Sequence, residues 1–227
     1  MTVNGKGSTS DRDQKSVSQM IRESWGQDDP SGWFEVLYSR AAQGDATVPW
    51  AYMQPNPQLI EWLDTHGVDG SGKRALVVGC GLGDDAEALA ERGFAVTAFD
   101  ISQTAINWAT HRFQESTVEY QVADLFHPPE AWQKTFDFVL EIRTIQALPH
   151  QFAEQIIAHI AAFVRPGGTL LVMCMGREPE EDRRGIPWPL SRQELAAFHA
   201  HGLDEVHFED TFADGARRFR IEYTRQE

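Results

Sequence analysis

Arg74-Ala-Leu-Val-Val-Gly-Cys-Gly-Leu-Gly83, then Asp84-Asp-Ala-Glu-Ala-Leu-Ala90 and Ala95-Val-Thr-Ala-Phe-Asp100, is the stretch whose reading decides the fold. Ala75 to Val78 is a continuous apolar run, the pattern of a strand buried on both faces. The glycines let the chain turn sharply into a helix carrying Ala86, Leu89 and Ala90, and a second apolar strand runs from Ala95 to Phe99.

The same rhythm continues outward. Ser102 is placed to cap a helix reaching about Phe113, and strands are expected over Val118 to Val122 and Phe136 to Leu140. A helix from Gln151 to Val164 leads through Pro166-Gly-Gly168 to a strand from Thr169 to Met175. Strict strand–helix alternation implies a parallel sheet. The end of the chain breaks that rule. Ser191-Arg-Gln-Glu194 is a capping box, and the runs Glu205 to Glu209 and Phe219 to Thr224 are joined only by a loop through Asp214-Gly215. Consecutive strands so closely connected pair antiparallel, so one reversed strand closes the sheet.

Before Arg74 the pattern is helical: Ser16 to Trp25, Gly32 to Ala42 with Trp33, Phe34, Leu37 and Tyr38, and a helix capped by Asn56 with Pro57 in its first position. The expected organisation is a flexible tail over 1–15 and a single domain over 16–227, made of a helical cover (16–70) and a core (71–227).

Composition narrows the functions. In 227 residues, Lys and Arg number 20 and Asp and Glu 34, a net charge of −14 that repels a phosphate backbone, so nucleic acid is not an expected partner. The longest apolar runs, Ile156 to Val164 and Leu170 to Met175, fall short of the roughly 18 residues of a membrane span. Met1 to Lys15 is polar, without a charged-then-apolar secretory pattern, and Cys80 and Cys174 give no disulfide framework. A cytoplasmic protein acting on a small molecule, as a monomer or homodimer, is expected. His199 and His201 stand two apart with no third ligand at a recognisable spacing, so no metal site is expected.

Ligands of such sheets bind at the carboxyl ends of the strands. Asp100 closes the second strand, where a carboxylate accepts from both ribose hydroxyls; the alternative is a tight turn with a capping Asp. A dinucleotide fingerprint carries glycine at its first, third and sixth positions, and here the sixth is Asp84, followed by Asp85. Two acids at a helix N-terminus repel a pyrophosphate and suit a phosphate-free nucleoside with a cationic end. S-adenosylmethionine (SAM) has that character.

Val77-Val-Gly-Cys-Gly-Leu-Gly-Asp-Asp-Ala86, Gly93-Phe to Asp100-Ile-Ser102, and Arg165-Pro-Gly-Gly168 resemble the core motifs of class I SAM-dependent methyltransferases. Val48-Pro-Trp-Ala51, Ala147-Leu-Pro149 and Pro187-Trp-Pro-Leu-Ser191 are similar to the thiopurine, thiol and halide methyltransferase-like branch. The likeness runs from about Trp33 to Thr224. Val77 departs from the usual acid, and Glu141-Ile-Arg-Thr-Ile-Gln146 departs from the branch's aromatic segment, leaving the acceptor open among S, halide, O and N.

The resemblance implies a Rossmann-like, doubly wound, mostly parallel seven-stranded sheet with a C-terminal antiparallel strand, helices on both faces and an N-terminal helical cover. It implies SAM as cofactor, with S-adenosylhomocysteine (SAH) as product. Gly79, Gly81 and Asp85 would surround the methionine part, Asp100 the ribose and Ile101 the adenine. Asp124 would accept from the adenine amino group and Leu125 donate a backbone N–H, unless Asp124 is a turn cap. Glu141 faces the sulfonium or substrate, or pairs with Arg143; both are candidate site residues. Trp50 and Trp33 cover the cleft or are packing aromatics. His150, Glu141 and Tyr52 are conceivable bases, and nothing selects a catalytic residue among them. The loop from Arg177 to Gly185 is a solvated surface loop or a lid over the acceptor. The competing functions are an NAD(P)-dependent oxidoreductase and a SAM-binding protein without catalysis.

Overall fold

Helix α1 (residues 19–25), α2 (Gly32–Ala42) and α3 (Pro57–Thr65) precede the sheet. The computed structural model describes residue 17 and residues 19–25, 29–183, 185–213 and 215–227. The expected tail over 1–15, Ser16, and Asp214 of the C-terminal hairpin lie outside the described residues. Asn56 caps α3 by accepting from Gln58 N–H, with Pro57 at the first helical position, where no amide hydrogen is required.

From Arg74 the chain alternates: β1 (Arg74–Val78), α4 (Asp84–Glu91), β2 (Ala95–Asp100), α5 (Gln103–Arg112), β3 (Glu119–Val122), β4 (Phe136–Ile142), α6 (Ala153–Phe163) and β5 (Val164–Arg177). A two-residue β6 (Leu190–Ser191), the short helices α7 (Arg192–Leu195) and α8 (Ala197–Ala200), then β7 (Leu203–Ala213) and β8 (Ala216–Arg225) follow. The strand order is β3-β2-β1-β4-β5-β8-β7, with β6 beside β5. β8 runs antiparallel to both β5 and β7, and it is the reversed strand the hairpin pattern predicted.

The fold is a mostly parallel, Rossmann-like α/β sheet with helices on both faces. One face packs Val78, Phe99, Val139, Ile156 and Phe163 beneath α6; the other packs Leu63, Val77, Leu89, Phe138 and Leu140 beneath α3 and α4. Each such side chain contributes about 1.5–3 kcal/mol by leaving water. A third cluster, including Met20, Trp33, Leu37, Tyr38, Leu82 and Ala105, seats the N-terminal helices on the glycine turn and α5.

Several boundaries differ from the sequence reading. β5 begins at Val164, because Pro166-Gly-Gly168 is carried in the strand through a register shift opposite Phe136 and Phe138. A Cβ on Gly168 would lie 2.9 Å from the Phe136 carbonyl oxygen, so only glycine lets the backbones approach there. The hairpin strands are longer than the apolar runs suggested, since ladder hydrogen bonds extend past the buried residues to the turn.

The topology has one consequence for binding. β2 and β3 lie to one side of β1, and β4 and β5 to the other, so the chain reverses its winding between β1 and β4. A crevice outside the carboxyl ends of those two strands is the expected ligand position in an open α/β sheet. Val78 is paired with Phe99 on one side and Glu141 on the other, bringing the glycine turn, Asp100 and Glu141 to one edge.

Candidate functional site

Gly79 and Gly81 both have left-handed backbones, with φ of 62° and 53°. A Cβ on Gly79 would lie 2.5 Å from Thr144 Oγ1, and one on Gly81 would lie 2.9 Å from the Tyr38 hydroxyl oxygen. The turn is therefore closed against the segment after β4 and against α2. Thr144 Oγ1 donates to the Val78 carbonyl at 3.1 Å, tying that segment to β1.

Asp100 is 6% exposed. Its Oδ2 accepts from Gly81 N–H at 2.9 Å and its Oδ1 from Ser102 N–H at 2.9 Å. Burial pushes its carboxyl up to about 6 despite those hydrogen bonds. A carboxylate has about four acceptor positions, so these backbone bonds do not exhaust it. Asp85, in the first turn of α4, accepts from Asn56 N–H at 2.7 Å, and burial pushes it up to about 6 as well. Asp84 behaves differently. Arg112 holds both its oxygens at 2.7 Å and also donates to the Leu82 carbonyl at 2.7 Å. Of the two acids that open α4, Asp84 is therefore held in a bidentate ion pair, and Asp85 has no ion pair among the described residues.

Glu141 is wholly buried on β4. Its Oε1 accepts from Ile145 N–H at 3.1 Å, while its Oε2 has no partner among the described residues. Burial pushes its carboxyl up to about 7. Arg143 follows β4 with φ 62°, its N–H donating to Met173 O at 3.1 Å. Among the described residues no hydrogen-bonded ion pair joins Glu141 to Arg143, although the Arg143 charge favours the Glu141 carboxylate through space, and Glu141 also caps the turn at Ile145.

Trp50 donates from Nε1 to the Tyr38 hydroxyl oxygen at 2.9 Å and meets Trp33 edge-on, with ring centroids 5.9 Å apart. Trp33 is 1% exposed, stacks on Phe34 and has an Nε1 without a partner among the described residues, which places it inside the cover rather than on its surface. Ile101, half-buried, follows Asp100. Asp124 accepts from Phe126 N–H at 2.8 Å and meets His127 Nδ1 at 2.8 Å, the geometry of a turn cap. Leu125 is buried, and its carbonyl lies 2.7 Å from His159 Nδ1.

Three residues of this edge escaped the sequence reading. In the sequence Tyr38 reads only as an apolar position of a helix. Thr144 lay in the segment that departs from the motif. Glu35 carried no signal beyond an acid in a first turn, yet it accepts from Ser102 Oγ at 2.6 Å, Thr104 N–H at 3.1 Å, Thr104 Oγ1 at 2.5 Å and Ser39 Oγ at 2.9 Å. Burial opposes its charge, but these hydrogen bonds outweigh burial and hold its carboxyl below the usual value. Glu35 thereby fixes α2 to the start of α5, beside Asp100.

The loop after β5 is also tied down. Arg177 donates to the carbonyls of Glu178 and Pro179 at 2.8 Å, to that of Pro189 at 3.1 Å, and to Glu194 at 2.6 Å. Arg183 and His150 meet the other oxygen of Glu194, at 2.8 Å and 3.0 Å. Trp188 packs against Trp25 at 5.3 Å and donates from Nε1 to the Leu148 carbonyl at 3.0 Å. The loop thus bridges the end of β4 and the N-terminal helices. Among the described residues no three His, Cys, Asp or Glu side chains come together as a metal site, and no helix is long and apolar enough to cross a membrane.

This edge gathers the buried carboxylate of Asp100, the half-buried one of Asp85, a glycine turn and an aromatic cover. Residues 75–168 match the family described as Methyltransferase domain. The chain is 31% identical over 127 residues to the ubiquinone biosynthesis O-methyltransferase of Dechloromonas aromatica, covering 55% of this chain and 53% of that one. It spans about half the length of the curated relatives it matches. The Burkholderia thailandensis 1,6-didemethyltoxoflavin-N1-methyltransferase, solved with bound 1,6-didemethyltoxoflavin and SAH, superposes with a TM-score of 0.66 at 16% identity over 99% of this chain and 94% of that one. The SAH-bound magnesium protoporphyrin IX methyltransferase of Synechocystis superposes at 0.64 and 18% identity, over 93% and 100%. The fold is the one these methyltransferases share.

Proposed function

We propose that this chain is a SAM-dependent methyltransferase acting on a small-molecule acceptor. The observation that carries the reading is the buried Asp100 carboxylate, bonded to Gly81 N–H at the point where the sheet reverses its winding. In this reading Asp100 receives the ribose hydroxyls, with Ile101 against the adenine and Asp124 and Leu125 at its polar edge. Gly79, Gly81 and Asp85 surround the methionine portion, with Asp85 facing the ammonium group. Trp50, held by Tyr38, presents an aromatic wall and keeps water from the reacting centre. Glu141 supports the same edge through the turn at Ile145.

The cofactor, when bound, supplies an activated methyl carbon whose bonding pair returns to sulfur. The chain's own contribution is to hold an incoming nucleophile in line and dry, so that its lone pair forms the new bond while any proton it carried is released. A thiolate or halide needs no protein base; a phenol, alcohol or amine gains from one. The ubiquinone-biosynthesis relatives favour an oxygen acceptor, and the likeness of Trp50 and Pro187-Trp-Pro-Leu-Ser191 to the thiol and halide branch favours sulfur or halide.

Calorimetry with SAH tests the reading. Binding in the micromolar range is expected, and none at millimolar ligand refutes it. The dinucleotide alternative is weakened by Asp85 beside the turn, and an NADH fluorescence titration discriminates it. Label transfer from methyl-labelled SAM to a panel of thiols, halides, phenols and amines separates an enzyme from a non-catalytic SAM-binding protein.

A further inference from the structure

Arg143 is a cation at this edge that meets the buried Glu141 only through space: its charge favours the Glu141 carboxylate, but no ion pair or hydrogen bond joins the two among the described residues. The Arg143 backbone is left-handed, with φ 62°, a conformation that a residue with a side chain adopts only at an energetic cost. Its N–H is spent on Met173 O, and the next residue, Thr144, sits against Gly79. The arginine therefore stands between the glycine turn and β5. Its side chain is half-buried, and among the described residues no ion pair or side-chain hydrogen bond engages the guanidinium. The neighbouring arginines are ion-paired: Arg112 with Asp84, Arg177 and Arg183 with Glu194. A guanidinium stays charged at any working pH and offers a planar fork of donors matched to a carboxylate.

We propose that Arg143 receives a carboxylate of the methyl acceptor, so that the substrate is a small organic anion. The inference rests on the methyltransferase reading above and names its substrate class. The cofactor's own carboxylate shares a carbon with the ammonium assigned to Asp85, on the α4 side of the turn, whereas Arg143 lies toward β5. The net charge of −14 repels an organic anion at a distance, so a fixed local cation is needed to admit one. The left-handed backbone sets the side chain's origin rigidly, which suits a bidentate contact.

The test is calorimetry on the SAH complex with 4-mercaptobenzoate and 4-hydroxybenzoate, each against its carboxamide. Wild type is expected to prefer the carboxylates by roughly tenfold or more, the size of a charge-assisted pair. R143G, in which glycine suits the left-handed backbone, should fold normally, keep its SAH affinity and lose the preference; R143K should retain part of it. The proposal is overturned by equal binding of carboxylate and carboxamide, by no binding of either carboxylate, or by a preference that survives in R143G. A loss of SAH affinity in R143G assigns the guanidinium to the cofactor's carboxylate and also overturns it. Failure of wild type to bind SAH at all removes the methyltransferase reading instead. The same four probes on the free protein and R143G then decide Arg143 by the same criteria.

Discussion

The carboxylate of Asp100 accepts from the backbone N–H of Gly81 at 2.9 Å, joining the end of β2 to the turn that leaves β1. One buried acid thus shapes the turn and, in the proposed function, also receives the ribose. Replacing Asp100 with Ala removes both roles. SAH binding is expected to weaken by about 1.5–3 kcal/mol, the worth of hydrogen bonds to a charged group. Calorimetry on D100A measures it, and an affinity equal to wild type would remove Asp100 from the ribose site.

Affinity for SAM should depend on pH through the same group and Asp85. Both carboxyls sit near 6, raised by burial, so free protein protonates them in mildly acid solution. A cationic ligand favours the ionised forms, so binding should strengthen as pH rises from 5 to 7.5, by about tenfold for each group that must ionise. Stability of the free protein moves oppositely. A carboxyl raised in the folded state stabilises it below the unfolded value near 4, and that contribution is lost as pH rises through 6, and through 7 for Glu141. Melting curves across pH 5 to 8 give the second trend; a rise in stability over that window contradicts it.

Gly81→Ala combines a left-handed backbone with a Cβ 2.9 Å from the Tyr38 hydroxyl oxygen. We expect a loss of about 1–3 kcal/mol in urea unfolding, together with weakened SAH binding, because the turn and α2 must move apart. Y38F leaves Trp50 Nε1 without its acceptor and should cost about 1–2 kcal/mol.

Glu35→Ala deletes the acceptor shared by Ser39, Ser102 and Thr104. Hydrogen exchange should accelerate across Gly32–Ala42 while the amides of β1 and β4 keep their protection. Uniform acceleration over the whole sheet would instead make Glu35 part of the global core.

Glu194→Ala should free the loop from Glu178 to Pro189, read as faster tryptic cleavage at Arg183. Burial opposes the charge of Glu194, but hydrogen bonds from Ser191, Arg183 and His150 pull its carboxyl down to about 2. Its stabilisation is present above the unfolded value near 4.5 and is lost as pH falls toward 2, so wild type should keep the loop protected at pH 5. Cleavage by a protease active at pH 5 at the rate seen in E194A would contradict the tie.

The class of fold was legible in the chain because its signals are local. An apolar run, a glycine turn, an amphipathic helix and a strand ending in Asp100 occupy adjacent positions, and their order alone implies a parallel sheet with its ligand edge at the glycines. The caps at Asn56, Ser102 and Ser191 were equally local and form as the residue types predict. Side-chain partnership was not legible, since it joins residues far apart in the chain. Asp84 and Asp85 are neighbours of one type, and only the approach of Arg112 from α5 and of Asn56 before α3 separates an ion-paired acid from one that meets a backbone amide. Likewise, packing alone decided that Glu141 bonds Ile145 rather than Arg143, that Tyr38 holds Trp50, and that Glu35 clamps the cover. Periodicity specifies which face of an element is buried; the charge and hydrogen-bond state of a buried group depends on what the other elements bring against it.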